Sequence, residues 1–513
     1  MPQTPLDVLT PYFFSGTAEG ELRILKDVFI QPAQMAEVLH VPMGNPRILV
    51  GTKGMGKSAI LHRLHQASQS QRLPALLLTP SDLAIPPLNG QSDLATLERA
   101  LLRCLVRALA VHVGAKLGGM LSSAAKSLRD EALKDGLVDE DLVERGVTLL
   151  AAVAKPIAGV DFAQLSKDLG GGTSDAALFN SVREYLHGHS SVMFLLFDDT
   201  DQVASPDEPK EINRIWGMLH ALRDVAARIP ELKVVATLRS EVWTRLKSAE
   251  GHRETIDHFR ACMLQLRGSE ELLERIAHRR IVKAAESLAK GKGLGNDAWS
   301  LFFEGNEVQI PGAGARQVRT WKSFLVTNSR ERARDLVLLV SALVKEARKR
   351  VAETTAGTIP QAGIVGADLF VTLPRFSKER LEDLSIEVGK VCPQFRSVAE
   401  SFATLAFELR YDDLRQHLGK LPSRFPIQMR GKTLRPQERD TIDQLHTLLH
   451  EYGFINARVD DARQLRGFRY LTFDDRPELT DAANINEAKA ARWDVHPVFR
   501  SHLQQLRSPA NRS

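Results

Sequence analysis

The sequence predicts an α/β fold in which a parallel sheet is covered by helices on both faces and a glycine-rich loop joins its first strand to its first helix. Three observations predict it. The octet "GTKGMGKS" at 51–58 has the form G-x-x-x-x-G-K-S and stands between the apolar run "PRILV" and the helical stretch "AILHRLHQAS". A second apolar run, "SVMFLLFDDTDQ" from Ser191 to Gln202, ends in a pair of aspartates. Further short apolar runs, "ALLLT" (75–79), "LKVVATLRS" (232–240) and "CMLQL" (262–266), are separated by helical stretches, the signature of a parallel sheet with helices on both faces.

Each element has its own reason. Ile48, Leu49 and Val50 form a β-type run, and Ile60, Leu61 and Leu64 give the following helix one buried stripe. Between them Gly51, Gly54 and Gly56 let the backbone curl so that N–H groups face an anion, with the positive end of the helix aimed at the same point. Lys57 is expected to reach the β- and γ-phosphates of a nucleotide, and the Ser58 hydroxyl to ligate Mg²⁺. Thr52, Lys53 and Met55 complete the loop; the Lys53 charge fits a solvated position as well as a phosphate contact. A phosphate-binding loop calls for a carboxylate at the tip of a neighbouring buried strand. Asp198 would hold Mg²⁺ through its water shell, and Asp199 would polarise the attacking water. Asp201 reads as a helix cap.

With 513 residues and 43% hydrophobic content, the chain is globular and long enough for about three domains. It has no apolar run long enough to cross a bilayer and no signal-peptide pattern at its start, so a cytoplasmic protein without a membrane partner is expected. Cys104, Cys262 and Cys392 are scattered, which fits a reducing compartment and excludes a structural zinc spacing. The net charge of +5 implies no global pull toward nucleic acid. One local run stands out. From Leu414 to Gln437 there are Arg415, Lys420, Arg424, Arg430, Lys432 and Arg435 and no acid, most simply a solvated face, otherwise a phosphate- or partner-binding patch.

Between Pro80 and Ser190 lies a helical insertion, where Leu94, Leu97, Leu101, Leu105 and Leu109 recur at helical spacing. "GSEELLERIAHRRIVKAAESLA" is an amphipathic helix opened by a Ser269 cap, and "SRERARDLVLLVSALVKEARKR" is another. A stretch rich in Gly and Thr from Val351 to Pro374 carries no clear pattern. The chain ends in the order helix, strand, turn, strand, helix, which looks like a winged helix. Its presumed recognition region carries Glu438, Asp440, Asp443 and Glu451, so a protein-packing wing is favoured over a DNA reader.

Together these pieces resemble the STAND class of P-loop ATPases, relatives of AAA+ proteins, and more closely a bacterial group found beside antiviral and other conflict genes. The resemblance implies an α/β P-loop NTPase of ASCE/STAND type with a helical insertion, a helical lid and a C-terminal winged-helix domain. "KVVATLRSE" resembles the sensor strand of that class, which places Arg239 at the γ-phosphate. "NSRERARDLVLL" stands where such proteins carry a proline-containing motif near the adenine. Ala333 replaces that proline, and Arg334 could act as a sensor from the lid. "VHPVFRSHL" resembles the methionine-histidine-aspartate motif in which the histidine reaches the ADP β-phosphate. His496 takes that position and Pro497 replaces the aspartate. A buried or capping histidine beside a proline turn is the competing reading.

The expected organisation is an N-terminal segment over 1–45, an ATPase domain over 46–268 with its insertion at about 85–190, a lid over 269–350, a helical or linker region over 351–435 and a winged-helix-like domain over 436–513. The expected function is an ATP-binding and hydrolysing switch, with ATP and Mg²⁺ as cofactors, that controls a separate effector protein in antiviral defence. Members of the class usually carry effector and sensor on the same chain, and this one begins shortly before its loop and stops at the winged helix, so the effector is expected on another polypeptide. Self-association is a further option, and nucleic acid is not the favoured partner. The alternative is a DNA-handling AAA+ ATPase resembling replication initiators, which would bind DNA through the winged helix and the basic run.

Overall fold

The computed structural model describes residues 4–41, 44–71, 73–83, 85, 93–114, 175–188, 192–204, 211–248, 253–288, 298–311, 317–353, 363–462 and 467–507. The chain divides into two compact units, Gln31–Leu266 and a second made of Met1–Ile30 with Arg267–Ser513.

The first unit is built on β1 (Arg47–Gly51), α1 (Lys57–Ser70), β2 (Ala75–Leu78), α2 (Leu94–Gly114), α3 (Asp175–Gly188), β3 (Met193–Phe197), α4 (Ile212–Arg228), β4 (Leu232–Arg239) and β5 (Met263–Gln265). The five strands are all parallel, in the order β2-β3-β4-β1-β5. This is the α/β P-loop NTPase class that the sequence predicts. Leu195, Leu196, Phe197, Val234 and Val235 are fully buried, as strands covered on both faces require. The order matters for the site, because β4 lies between the loop strand β1 and the aspartate strand β3. The insertion expected at about 85–190 lies largely outside the described residues. Its described ends are the helices α2 and α3, and Leu97, Leu101, Leu105 and Leu109 of α2 are buried. Helices α2 and α4 approach so closely at Gly217 that a Cβ there would lie 3.1 Å from the Leu97 Cβ, which explains a glycine inside a helix.

In the second unit, α5 (Glu270–Leu288) begins at the Ser269 cap, whose hydroxyl accepts the Leu272 N–H at 3.0 Å. Residues from the start of the chain pack on it. Arg280 of α5 grips Glu21 through two hydrogen bonds of 3.1 and 2.5 Å, and also donates to the Tyr12 carbonyl. Both ends of this pair are buried, so removing either partner would strand a charge, a loss of about 3–5 kcal/mol. Next come α6 (Ala333–Glu353) and α7 (Gly366–Val388). The latter continues through Pro374, where the sequence had shown no pattern. Burial of Leu369, Leu373, Phe376, Leu381 and Leu384 along one face offsets the hydrogen bond that the proline removes.

The chain continues through β6 (Glu408–Arg410), α8 (Tyr411–Lys420), α9 (Arg439–Glu451), β7 (Ile455–Asp460), β8 (Phe468–Leu471), β9 (Arg492–Val495) and α10 (Pro497–Arg507). The strands form one antiparallel sheet in the order β8-β7-β9-β6. One face, with Leu409, Ala457 and Trp493, is buried beneath α8 and α9, where the rings of His446 and His450 stand edge-on to Trp493. Among the described residues no helix is long and apolar enough to cross a membrane.

Candidate nucleotide site

The site sits at the carboxyl ends of the parallel strands, where open α/β sheets place their ligands. β1 ends at Gly51, and the loop turns into α1 through Gly54 and Gly56, which hold φ of +87° and +101°. Side chains rarely adopt such backbone, and around Gly56 the space where a Cβ would stand is open. The Lys57 side chain folds back over the loop and donates to the carbonyls of Gly51 (2.6 Å) and Thr52 (3.2 Å). It is only 8% exposed. Burial pushes its pKa down, and the carboxylates of Glu241, Asp201 and Asp198 oppose that shift. Ser58, one residue into α1, is half-buried, Thr52 and Met55 are half-buried, and Lys53 is exposed.

Register brings the remaining groups to the loop. Arg239, the last residue of β4, is the direct partner of Gly51 across the β1–β4 pairing. Two residues earlier on β4, the fully buried Thr237 donates its hydroxyl to Asp198 Oδ1 at 2.6 Å and accepts the Asp199 N–H at 2.9 Å. Asp198 Oδ1 also accepts that N–H. Asp199 follows with φ of +50° and accepts a 2.6 Å hydrogen bond from the Gln202 amide. Burial, together with Asp198 and Asp201, pushes the Asp199 pKa up to about 6. Asp201 is buried and pairs with Arg239 Nε at 3.1 Å. The cap reading of Asp201 therefore gives way to another role, in which its carboxylate holds the arginine that ends β4.

No protein-family model matches the chain, and no curated protein matches it. Among solved structures the chain is similar to the ORC2 protein of Aeropyrum pernix in its ADPNP–ADP complexes, with 10% identity and a TM-score of 0.37 over 91% of this chain and 93% of that one. It is also similar to Cdc6p of Pyrobaculum aerophilum, with 11% identity and a TM-score of 0.33 over 94% and 97%. The ADP form of the A. pernix ORC2 protein gives 11% identity and a TM-score of 0.32 over 92% and 94%.

Two of the residues singled out in the sequence, Arg334 and His496, belong to the second compact unit. Arg334 opens α6 half-buried, with its stem across Gly16, where a Cβ would lie 3.1 Å from the arginine Cγ. Its Nε is buried without a hydrogen-bond partner among the described residues. His496 is buried and caps α10, its Nδ1 accepting the Val498 N–H at 3.2 Å, which puts the ring proton on Nε2. Burial, with Arg330 and Arg500 nearby, holds its pKa down at about 3.

Sequence reasoning missed Thr237, Asp201 and Gln202 as parts of the site. The only sequence signals were the Thr-x-Arg ending of β4 and the third acid after the aspartate pair.

Proposed function

We propose that the chain binds ATP at Gly51–Ser58, hydrolyses it, and uses the difference between its ATP and ADP states as a switch that controls a separate protein. The observation that carries this reading is the convergence of Lys57, Asp198 with Thr237, Asp199 with Gln202, and Arg239 with Asp201 at the ends of three adjacent strands. The loop amides and the start of α1 bind phosphate oxygens, and Lys57 exchanges its two carbonyl partners for the β- and γ-phosphates. The donor set also fits Mg²⁺: Asp198 commits Oδ1 to Thr237 and Asp199, Oδ2 makes no hydrogen bond among the described residues, and Ser58 is the loop hydroxyl. When bound, the ion would neutralise charge on the phosphate oxygens. Asp199 accepts the proton of the water that attacks the γ-phosphorus as the bond to the ADP oxygen breaks. Gln202 fixes the carboxylate, and Arg239, held by Asp201, meets charge on the γ-phosphate.

A switch needs more than one such contact. Moving a two-state protein from 1:99 to 99:1 takes about 5.5 kcal/mol of differential binding. A hydrogen bond to a charged group supplies about 1.5–3 kcal/mol. Arg239 and Arg334 are both expected to contribute, so Arg334→Ala should lose at least about tenfold in ATP-over-ADP preference measured by titration calorimetry. Wild-type preference in that variant would leave Arg334 with its packing across Gly16 as its role.

A DNA-handling ATPase is the second reading, with β6–β9 and α8–α10 as a winged helix. What favours it is the exposure of Lys420, Arg424, Arg430 and Lys432. Arg415 and Arg435 are engaged with Asp443 and Glu438, so four contacts remain, a salt slope of about −3.6 on duplex DNA at about −0.9 each. A flat response leaves the protein-partner switch.

A further inference from the structure

The antiparallel sheet of the second unit has a face that neither the nucleotide site nor the basic run uses. Its inner face is apolar and covered by helices. Its other face carries Arg410 on β6, Arg492 on β9, Arg458 on β7 and Tyr470 on β8 in one cross-strand row, each the direct partner of the next. Contacts across the strands confirm that these side chains share a face. Arg458 lies over the Phe468 ring at 4.1 Å and pairs with Glu408 at 2.6 Å, and the Tyr470 hydroxyl donates to Asp494 at 2.9 Å. The Asp494 end of the face is closed, with Asp494 buried and Arg500 at 3.5 Å. The arginine row is open. Arg410 and Arg492 are exposed, and neither makes a hydrogen bond or ion pair among the described residues.

Like charges directly opposite each other on neighbouring strands destabilise a sheet. Here three guanidinium groups stand in line over two strand intervals, about 10 Å, while the acids of that open face are Glu408, held by Arg458, and Asp460, the strand partner of Phe468. Folding does not call for that row, and a bound polyanion would relieve it. The neighbouring groups narrow the polyanion. Phe468 and Tyr470 pack edge to face at 5.5 Å beside the row, and the Arg458 guanidinium is spread over one of them. Planar guanidinium and aromatic groups on an open sheet face are what unpaired bases stack upon, while arginines alongside take the backbone phosphates. An acidic peptide would match the charge and leave the planar groups unused.

We propose that the Arg410–Arg492–Arg458 face, with Phe468 and Tyr470, binds single-stranded nucleic acid. The inference goes beyond the ATPase switch and does not depend on it: the face holds no residue of the nucleotide site, so a Lys57→Ala chain should bind the strand as the wild type does.

The test is fluorescence anisotropy of a labelled oligothymidylate of about 15 nucleotides, long enough to cross the whole row, on the full chain. Arg410→Gln with Arg492→Gln should weaken binding at least tenfold, and Arg458→Lys, which keeps the charge and removes the plane, several-fold. The two glutamines stand at exposed positions where neutralisation relieves repulsion, Arg458→Lys keeps the charge that pairs with Glu408, and an undiminished melting temperature in each will show that the fold is intact. Binding should be stronger than to the same sequence as a duplex, and polyglutamate at equal charge should not displace the strand. Absence of wild-type binding, full binding by the Arg410/Arg492 double variant, equal affinity for duplex, or displacement by polyglutamate would each overturn the assignment, the last in favour of an acidic protein segment.

Discussion

Asp199→Asn is expected to bind ATP with close to wild-type affinity and to lose hydrolysis by about 10²–10⁴-fold, the usual contribution of a positioned general base. The substitution keeps the shape of the side chain and an oxygen that can accept the Gln202 amide, so the 2.6 Å contact and the loop are undisturbed. Only the proton acceptor is removed. Lys57→Ala is expected to behave oppositely and abolish binding, because it deletes the buried cation that folds over Gly51 and Thr52. Equal loss of binding in both variants, measured by calorimetry beside phosphate release, overturns the division of labour. The pH profile adds a check. Asp199 is raised to about 6 by burial and by the acids at 198 and 201, and a base works only when ionised. For kcat/KM, which reports the free enzyme, the wild type should therefore lose activity as pH falls through about 6, and Arg239→Ala should move that limb upward, since Arg239 lowers the same pKa.

Those residues were legible in the sequence because parallel strands buried on both faces read as unbroken apolar runs, and the chemistry stands at their ends. "MFLLF" announces β3 and hence the aspartates beyond it, and "RILVG" announces β1 and the loop. The partners of these groups were not legible. Thr237 meets Asp198, and Arg239 meets Gly51, only through the order β3-β4-β1, and nothing in a linear reading supplies a strand register. The same limit hid the arginine row. β6 and β9 are "ELR" and "RWDV", three and four residues long and half charged, and they become strands because their alternate residues Leu409, Trp493 and Val495 reach the core. The start of α7 was masked by Pro374, a residue that stops a helix unless tertiary burial overrules it. His496 was found by resemblance, and the cap it makes at α10 is a local hydrogen bond that the adjoining proline already suggested.

The second compact unit is expected to lose stability steeply in mild acid. Four of its histidines are buried with folded pKa values far below the ordinary 6.5: His446 and His496 at about 3, His417 and His450 at about 4. Desolvation is the leading cause in each, and the surroundings explain it. His446 and His450 stack edge-on against Trp493, with ring centroids 4.1 and 5.3 Å away, and His417 packs on Phe402 at 4.9 Å with Nε2 against the Ser401 hydroxyl. A depressed base means that the unfolded chain takes up protons that the folded chain refuses. The stability these sites contribute is complete above pH 6.5 and is lost as pH falls from there toward 4. Between pH 8 and pH 5.5 four such sites cost about 5 kcal/mol, of which Glu331, a carboxyl that burial raises to about 7, restores about 2 kcal/mol, against a typical total of about 5–15 kcal/mol for a domain. Urea unfolding followed by tryptophan fluorescence should therefore show a midpoint that falls between those two pH values, with close to three protons taken up on unfolding at pH 5.5, because Glu331, raised to about 7 by burial, releases about one as the histidines bind theirs. His446→Phe with His450→Leu places apolar rings and methyls where two neutral imidazoles leave Nε2 buried without a hydrogen bond. That double variant should remove about two of the protons taken up and flatten the acid limb. A midpoint independent of pH in the wild type, or an unchanged slope in the variant, would show that these histidines are protonated inside the fold and have acid partners there.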